Sequence, residues 1–524
     1  MQKKTRKMVA LVLAGALMSG IFAACAKGNG ATEGSAVSRS MENDGDTASA
    51  EKRSTLVIAT ESEPPTLHPF DHKAVTATYM NLLTFNALMS IDPETLEPVT
   101  DLAESYETVS DTEWVFTLKQ GVTFHDGSTL DAQDVKASME YAKTYPTTKD
   151  YTSFWTDIQA VDDTHVKITT DGPYAMVLND MASIDILPSE LIDEGNDFNE
   201  NPVGTGPYQF VEWVVSSHVD MTRFDGYWGE APAIKDLRIR FIAESTARTI
   251  ALETGEIDLA SALDDADIES ILNGEKEHIV GHLVNGYQTN YVAFNLNFEP
   301  FNDIRVRQAI AYGVDWNDVS VASGETSFEP ALSLLSPEIQ FHKDIGQYEY
   351  DPERAKALME EAGYADGFEI TCTEEDVPSS TRALEVLQAY LADLNITMSI
   401  TVSDTATWID SLNNGTCDIT LISLTSGTGD PSNMYNNMLD TSAMILGRTY
   451  DEEFNALARE GLGAMDETER AEVYAELQQY AFDNVLSIPV NHRRQAYGIW
   501  DYVEGFYPDP GQLISIKDLS YILE

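Results

Sequence analysis

Phe368-Glu369-Ile370-Thr371-Cys372, Met398-Ser399-Ile400-Thr401-Val402 and Cys417-Asp418-Ile419-Thr420-Leu421-Ile422 are three short runs rich in apolar and β-branched residues. Between the first two, Leu384, Leu387, Leu391 and Leu394 recur at helical spacing, and between the second and third so do Trp408 and Leu412. Strand, helix, strand, helix, strand predicts an α/β unit with a mostly parallel sheet, because parallel neighbours need a crossover and a helix supplies it. Ligands of such sheets gather beyond the strand C-termini, so the loop after Leu424 is the first place to look for a site. If the first and third strands run side by side, Cys372 and Cys417 lie several residues out of register at ~3.3 Å each, beyond disulfide reach. Two buried thiols are expected.

Working outward, Leu56-Val57-Ile58-Ala59-Thr60 reads as a strand feeding a loop, Glu61 to Pro69, that three prolines hold extended. Trp114-Val115-Phe116-Thr117-Leu118 reads as another strand, followed by a turn through Gly121-Val122-Thr123-Phe124-His125-Asp126-Gly127 and a helix for which Asp131 is the N-cap. Asp303 is placed to cap a helix whose buried side is Val306, Ala309, Ile310 and Gly313.

These pieces, with Asp101-Leu102-Ala103-Glu104-Ser105-Tyr106, Pro202-Val203-Gly204-Thr205-Gly206-Pro207-Tyr208, Glu244-Ser245-Thr246-Ala247-Arg248, Arg305-Val306-Arg307-Gln308-Ala309-Ile310 and Ile488-Pro489-Val490, resemble the peptide/nickel class, family 5, of ABC-transporter solute-binding proteins. The resemblance runs through nearly everything after Leu56. It implies a periplasmic-binding-protein-like fold (type II, class C): two α/β lobes, an extra subdomain and a hinged ligand cleft. The expected division is residues 55–80, 200–285 and 495–524 for the first lobe, 81–199 for the extra subdomain and 286–494 for the second lobe. The implied function is the extracytoplasmic, monomeric binding component of an ABC importer, working with permease and ATPase subunits, with peptide as the leading ligand. A cationic or metal-chelate solute is the alternative, as is an extracellular sensor or adhesin that feeds no importer.

The resemblance also locates a pocket segment, Leu424-Thr425-Ser426-Gly427-Thr428-Gly429-Asp430-Pro431-Ser432-Asn433, from which Ser426, Gly427, Thr428, Asp430 and Asn433 are candidate ligand contacts. Dipeptide binders of the family carry a tryptophan and an aspartate for the ligand ammonium where this chain has Leu424 and Gly427. Their arginine for the ligand carboxylate has no counterpart either, since the stretch reads Glu374-Glu375-Asp376-Val377-Pro378. Glu61 and Glu63 are further candidates for a cationic group. Each has a plainer reading: Asp430 as an Asp-Pro turn supporting its loop, and the two glutamates as solvated loop residues.

The chain has 524 residues, with 32 Lys and Arg against 87 Asp and Glu, a formal charge of −55. Such a surface repels polyanions, so nucleic acid is excluded as a partner. Lys3, Lys4, Arg6 and Lys7 precede an uncharged run from Met8 to Ala24, the plan of an export signal over residues 1–24. Phe22-Ala23-Ala24-Cys25 resembles a bacterial lipobox, which implies lipidation at Cys25 and a lipid anchor as the one membrane attachment. Ordinary cleavage after Ala26 is the alternative. Residues 25–54 read as a tether, because from Ala26 to Ser54 there is no Leu, Ile, Phe, Tyr or Trp to repay ordering entropy. No nucleophile-and-base motif, Walker loop or metal-ligand spacing stands in a supporting context, so neither an enzyme nor a cofactor or metal is expected. His125-Asp126 reads as a hydrogen-bonding turn, and His492-Arg493-Arg494 as a solvated strand end with an anion contact as its alternative.

Overall fold

The computed structural model describes residues 55–522 apart from 93, 94, 325, 427, 428, 443, 512, 513, 515 and 517, and these fall in one compact unit. The expected export signal, the tether and Cys25 lie outside the described residues.

Two long antiparallel strands, Ile279–Phe294 and Ser487–Trp500, organise the molecule. On one side, Leu259–Ala260 pairs with Ile499 and Gly498, and Thr55–Thr60, Asp236–Phe241, His218–Arg223 and Tyr208–Val214 extend the sheet in that order. On the other side, Ile419–Thr425 pairs with Ile279–Phe294 over seven registered positions. Gly281 faces Gly498 across the long pair. A Cβ on Gly281 would stand 2.9 Å from Ile271, and one on Gly498 2.8 Å from Leu252, so the paired glycines let helices Asp265–Leu272 and Ser245–Glu253 lie close on the sheet. Register breaks twice between the long strands: residues 286–288 face Arg493 alone, and Val490 is extra opposite the step from Asn290 to Tyr291.

Residues 103–170 build a four-stranded antiparallel sheet in the order Ala103–Ser110, Glu113–Leu118, His165–Thr170, Trp155–Asp162. Trp114, Phe116 and Leu118 point into its core, as strand alternation demands. Asp131 caps helix Ala132–Ala142 in a reciprocal capping box with Asp134. Asp303 caps Ile304–Gly313 through the amide of Arg305 at 2.9 Å. In that helix Arg307 is buried, and its guanidinium donates to the carbonyls of Phe301, Asn484 and Val485 at 2.7–2.9 Å, fastening the helix to the turn before Ser487.

The parallel unit predicted from Phe368 onward is smaller than expected. Glu369–Glu375 and Thr397–Ser403 pair in parallel, with helices Pro378–Ala392 and Thr405–Asn414 following them. The third strand belongs to the large mixed sheet, where its edge is taken up by antiparallel pairing with Ile279–Phe294. It touches the parallel pair near its start, where the Asp418 amide donates to the Thr371 carbonyl at 2.9 Å. Cys372 and Cys417 are buried and unpaired; burial pushes the Cys417 thiol up to about 11.

A second expectation fails at His492-Arg493-Arg494. These residues lie inside a 14-residue strand, and His492 is 2% exposed, with Nδ1 3.0 Å from Thr289 Oγ1. Burial above all, with His342 nearby, pulls its pKa down to about 3, so the ring is neutral. Arg494 reaches Glu329 at 3.0 Å and Asn285 at 3.3 Å.

Candidate functional site

The loop after strand Ile419–Thr425 sits where three parts of the chain meet. Ser426 is fully buried, and its hydroxyl donates to the Asp430 carbonyl at 2.9 Å. Gly429 takes a left-handed φ of +71°, with Leu96 and Tyr287 both 3.4 Å from where a Cβ would be. Its carbonyl accepts from the Gln340 amide at 2.9 Å, while the Gln340 side chain donates to the Leu96 carbonyl at 3.0 Å. Asn433 is half-buried, and its carbonyl accepts from the Asn437 side chain at 2.9 Å. Gly427 and Thr428 lie outside the described residues.

Asp430 is turned inward and is 1% exposed. One oxygen accepts from the Ser432 amide at 2.8 Å, the local bond of an Asp-Pro turn. The carboxylate is gripped by Arg470, Nη1 to Oδ2 at 2.7 Å and Nη2 to Oδ1 at 3.1 Å. Arg470 lies in the first turns of helix Glu467–Asp483, donates Nε–H to the Gly461 carbonyl at 2.9 Å and packs near the rings of Phe341 and Tyr474. Its Nη2 is also 3.1 Å from Met176 Sδ, and close by the Ala175 amide donates to the Leu462 carbonyl at 3.0 Å. Residues 174–180, beyond the four-stranded sheet, are thereby held against residues 430–470. Asp180 shares this buried junction. Burial, reinforced by the negative charge of Asp430, raises its pKa well above the carboxylate range, against the hydrogen bond from Tyr174.

Glu61 is exposed. Glu63 is half-buried, and Oε1 accepts from Trp213 Nε1 at 2.7 Å and from the Ser216 amide at 2.9 Å, so this carboxylate pins its loop to the hairpin of strands Tyr208–Val214 and His218–Arg223. Further along the loop, the Leu67 amide and the Thr66 hydroxyl bind Asn199 Oδ1, and His68 meets Tyr141 and Tyr145. Loop 61–68 therefore bridges the first sheet and the four-stranded subdomain.

Glu374 points inside, with 2% exposure, and accepts from the Thr420 hydroxyl at 2.5 Å. Burial pushes its pKa up to about 7. A polar seam crosses the register break beside the loop: Asn290 donates to Asn491 at 2.8 Å, Asn491 to Ser323 at 3.1 Å, and Ser423 to Asn290 at 2.5 Å. Within it, the buried atoms His492 Nε2 and Gln495 Nε2 have no protein partner. Sequence reasoning did not single out Arg470 or Asp180. Arg470 is recognisable only through its ion pair with a residue 40 positions away, and nothing local marks it.

The chemistry of this junction is adhesion between chain segments. Among the described residues it presents no nucleophile activated by a base.

A family model described as bacterial extracellular solute-binding proteins, family 5, middle region, matches residues 97–444. The dipeptide-binding protein of Escherichia coli (strain K12) is 25% identical over 503 residues, covering 88% of this chain and 94% of its own. Heme-binding protein A of Haemophilus influenzae is 27% identical over 454 residues, 79% of this chain and 82% of its own. The solved dipeptide-binding protein of Pseudoalteromonas sp. SM9913, in complex with Met-Leu, aligns with a TM-score of 0.77 at 24% identity, covering 89% of this chain and 100% of the other. The likeness establishes a two-lobed, type II periplasmic-binding-protein fold.

Proposed function

The chain belongs to the bacterial extracellular solute-binding proteins of family 5, and from that premise we propose that it captures a peptide outside the cytoplasm and hands it to the permease and ATPase subunits of an ABC importer. The observation that carries the reading is the family match over residues 97–444. Its work is binding and release rather than turnover. Lobes that swing about the break in the long strand pair desolvate the ligand between them, and a ligand drives closure to the extent that it prefers the closed form. The chain acts as a monomer, held at the outer face of the cell membrane by a lipid on Cys25 and the 25–54 tether. At ~5–6 Å times the square root of its length, that tether spans roughly 30 Å.

Peptide is favoured over haem-like ligands because the dipeptide-binding relative spans 88% of this chain and the haem-binding one 79%. The test is mass spectrometry of the ligand carried through purification, followed by calorimetric titration with the compound found. A peptide bound with one-to-one stoichiometry supports the proposal, and a non-peptide ligand overturns it. Fatty-acid analogue labelling that marks the wild type but not Cys25→Ser tests the anchor.

A further inference from the structure

We propose that Glu212, His218 and Asp220 form a binding site for a zinc-type divalent cation on the polar face of the hairpin of strands Tyr208–Val214 and His218–Arg223. The hairpin geometry brings these residues together. Glu212 and Asp220 are directly opposed across strands Tyr208–Val214 and His218–Arg223, and His218 stands two residues before Asp220, on the same face. Their ligand atoms all lie within 4.8 Å of one another.

His218 Nε2 is 3.9 Å from Glu212 Oε1 and 3.8 Å from Asp220 Oδ2. These separations are too long for direct hydrogen bonds, and Nε2 is buried without a protein partner. They approach the ~3.4 Å that separates two ligands on a tetrahedral cation with bonds of ~2.1 Å. A contraction of about half an ångström brings His218 Nε2 to that spacing from each carboxylate, and the Glu212 and Asp220 oxygens, within 4.8 Å of each other, close on the cation with it. The other ring nitrogen, Nδ1, is 2.9 Å from Ser217 Oγ, the outer partner that fixes a metal-ligating imidazole with Nε2 presented to the cation.

The flanking charges suit a bound cation. Arg238 grips Asp220 by Nε–Oδ1 at 2.7 Å and Nη2–Oδ2 at 2.6 Å, which orients the carboxylate and leaves lone pairs toward His218. Arg240, across from His218, is turned to Glu256 at 3.4 Å. Asp236, near Thr222 on the same face, adds a further negative charge. The four carboxylates, Glu212, Asp220, Asp236 and Glu256, exceed the two guanidinium groups by two, matching one divalent ion. An imidazole with two carboxylates selects zinc-like cations over magnesium or calcium, which prefer all-oxygen shells. Glu212 is exposed, leaving room for water as the fourth ligand.

The test is titration of the untagged full-length chain, stripped with chelator, with zinc chloride in competition with a chromophoric chelator. The wild type is expected to bind one equivalent that His218→Ala loses, with at least tenfold weaker binding in Glu212→Gln. The Glu212 side chain is 55% exposed, so that variant keeps the fold. Excess magnesium should not displace the zinc. Failure of the wild type to bind a stoichiometric equivalent overturns the site, as does unchanged affinity in His218→Ala or Glu212→Gln. Peptide affinity of the zinc-free chain is a separate readout, so loss of this site leaves the import reading standing.

Discussion

The guanidinium of Arg470 closes a two-point fork on the carboxylate of Asp430, at 2.7 and 3.1 Å, in a place where Asp430 is 1% exposed. Two buried charges this close stabilise a fold chiefly by not being separated. The same arginine touches Met176, so the pair also holds residues 174–180 to the second half of the chain.

Arg470→Met should lower stability by about 3–5 kcal/mol, because it leaves the Asp430 carboxylate buried and uncompensated. Asp430→Asn together with Arg470→Met should recover much of that loss. Urea unfolding of both variants checks this, and an equal loss in the single and double variants would count against the ion pair as the cause.

Glu374 gives a pH signature. Its folded pKa, about 7, lies above its ordinary 4.5, so between these values the folded chain keeps a proton that the unfolded chain releases. Its contribution is full below pH 4.5 and is lost as pH rises to about 7, a change of about 3 kcal/mol. Glu374→Gln should therefore raise the melting temperature at pH 8 and leave it nearly unchanged at pH 4.5. A shift of the same size at both values contradicts the assignment.

Glu63→Ala should release the loop from Trp213 and Ser216, costing about 1–3 kcal/mol and altering tryptophan emission. Glu61→Ala, at an exposed position, should change stability by less than about 0.5 kcal/mol. If both variants lose ligand affinity while stability holds, the glutamates are ligand contacts and the hairpin tie is secondary.

Ordinary dipeptides should not be held by both termini. The resemblance implies that Leu424 and Gly427 take the places of the dipeptide branch's tryptophan and ammonium partner, and Glu374, in the stretch expected to supply a carboxylate partner, is buried and supplies no cation. Titration with dipeptides, blocked dipeptides and longer peptides should show the longer peptides tighter, with end-blocking changing affinity less than tenfold. Micromolar binding of simple dipeptides, abolished by blocking either end, would contradict this.

Much of the fold was legible because its signals are local. Asp131 and Asp303 announce helix starts by their own side-chain geometry, and alternation at Trp114, Phe116 and Leu118 names the buried face of a strand. What escaped depends on partners far along the chain. The run His492-Arg493-Arg494 reads as a solvated strand end, yet Thr289 and Asn285, some 200 residues earlier, supply polar contacts to His492 and Arg494 inside the sheet. Strand Ile419–Thr425 carries no local sign that it will leave its parallel neighbours for an antiparallel one. Within the site, the Asp430 turn was readable, whereas its pairing with Arg470 was not.

Strand Ser487–Trp500 is among the last pieces of chain to be made, yet it joins Leu259–Ala260 on one side and Ile279–Phe294 on the other, and Tyr521 near the far end donates to the Thr55 carbonyl at 2.9 Å. The central sheet is therefore incomplete until nearly the whole polypeptide is available. Closing it spans more than 200 residues of sequence, which makes folding slow and late. If the chain is exported as proposed, that lateness is useful: a sheet that lacks strand Ser487–Trp500 stays threadable during passage and sets only on the far side.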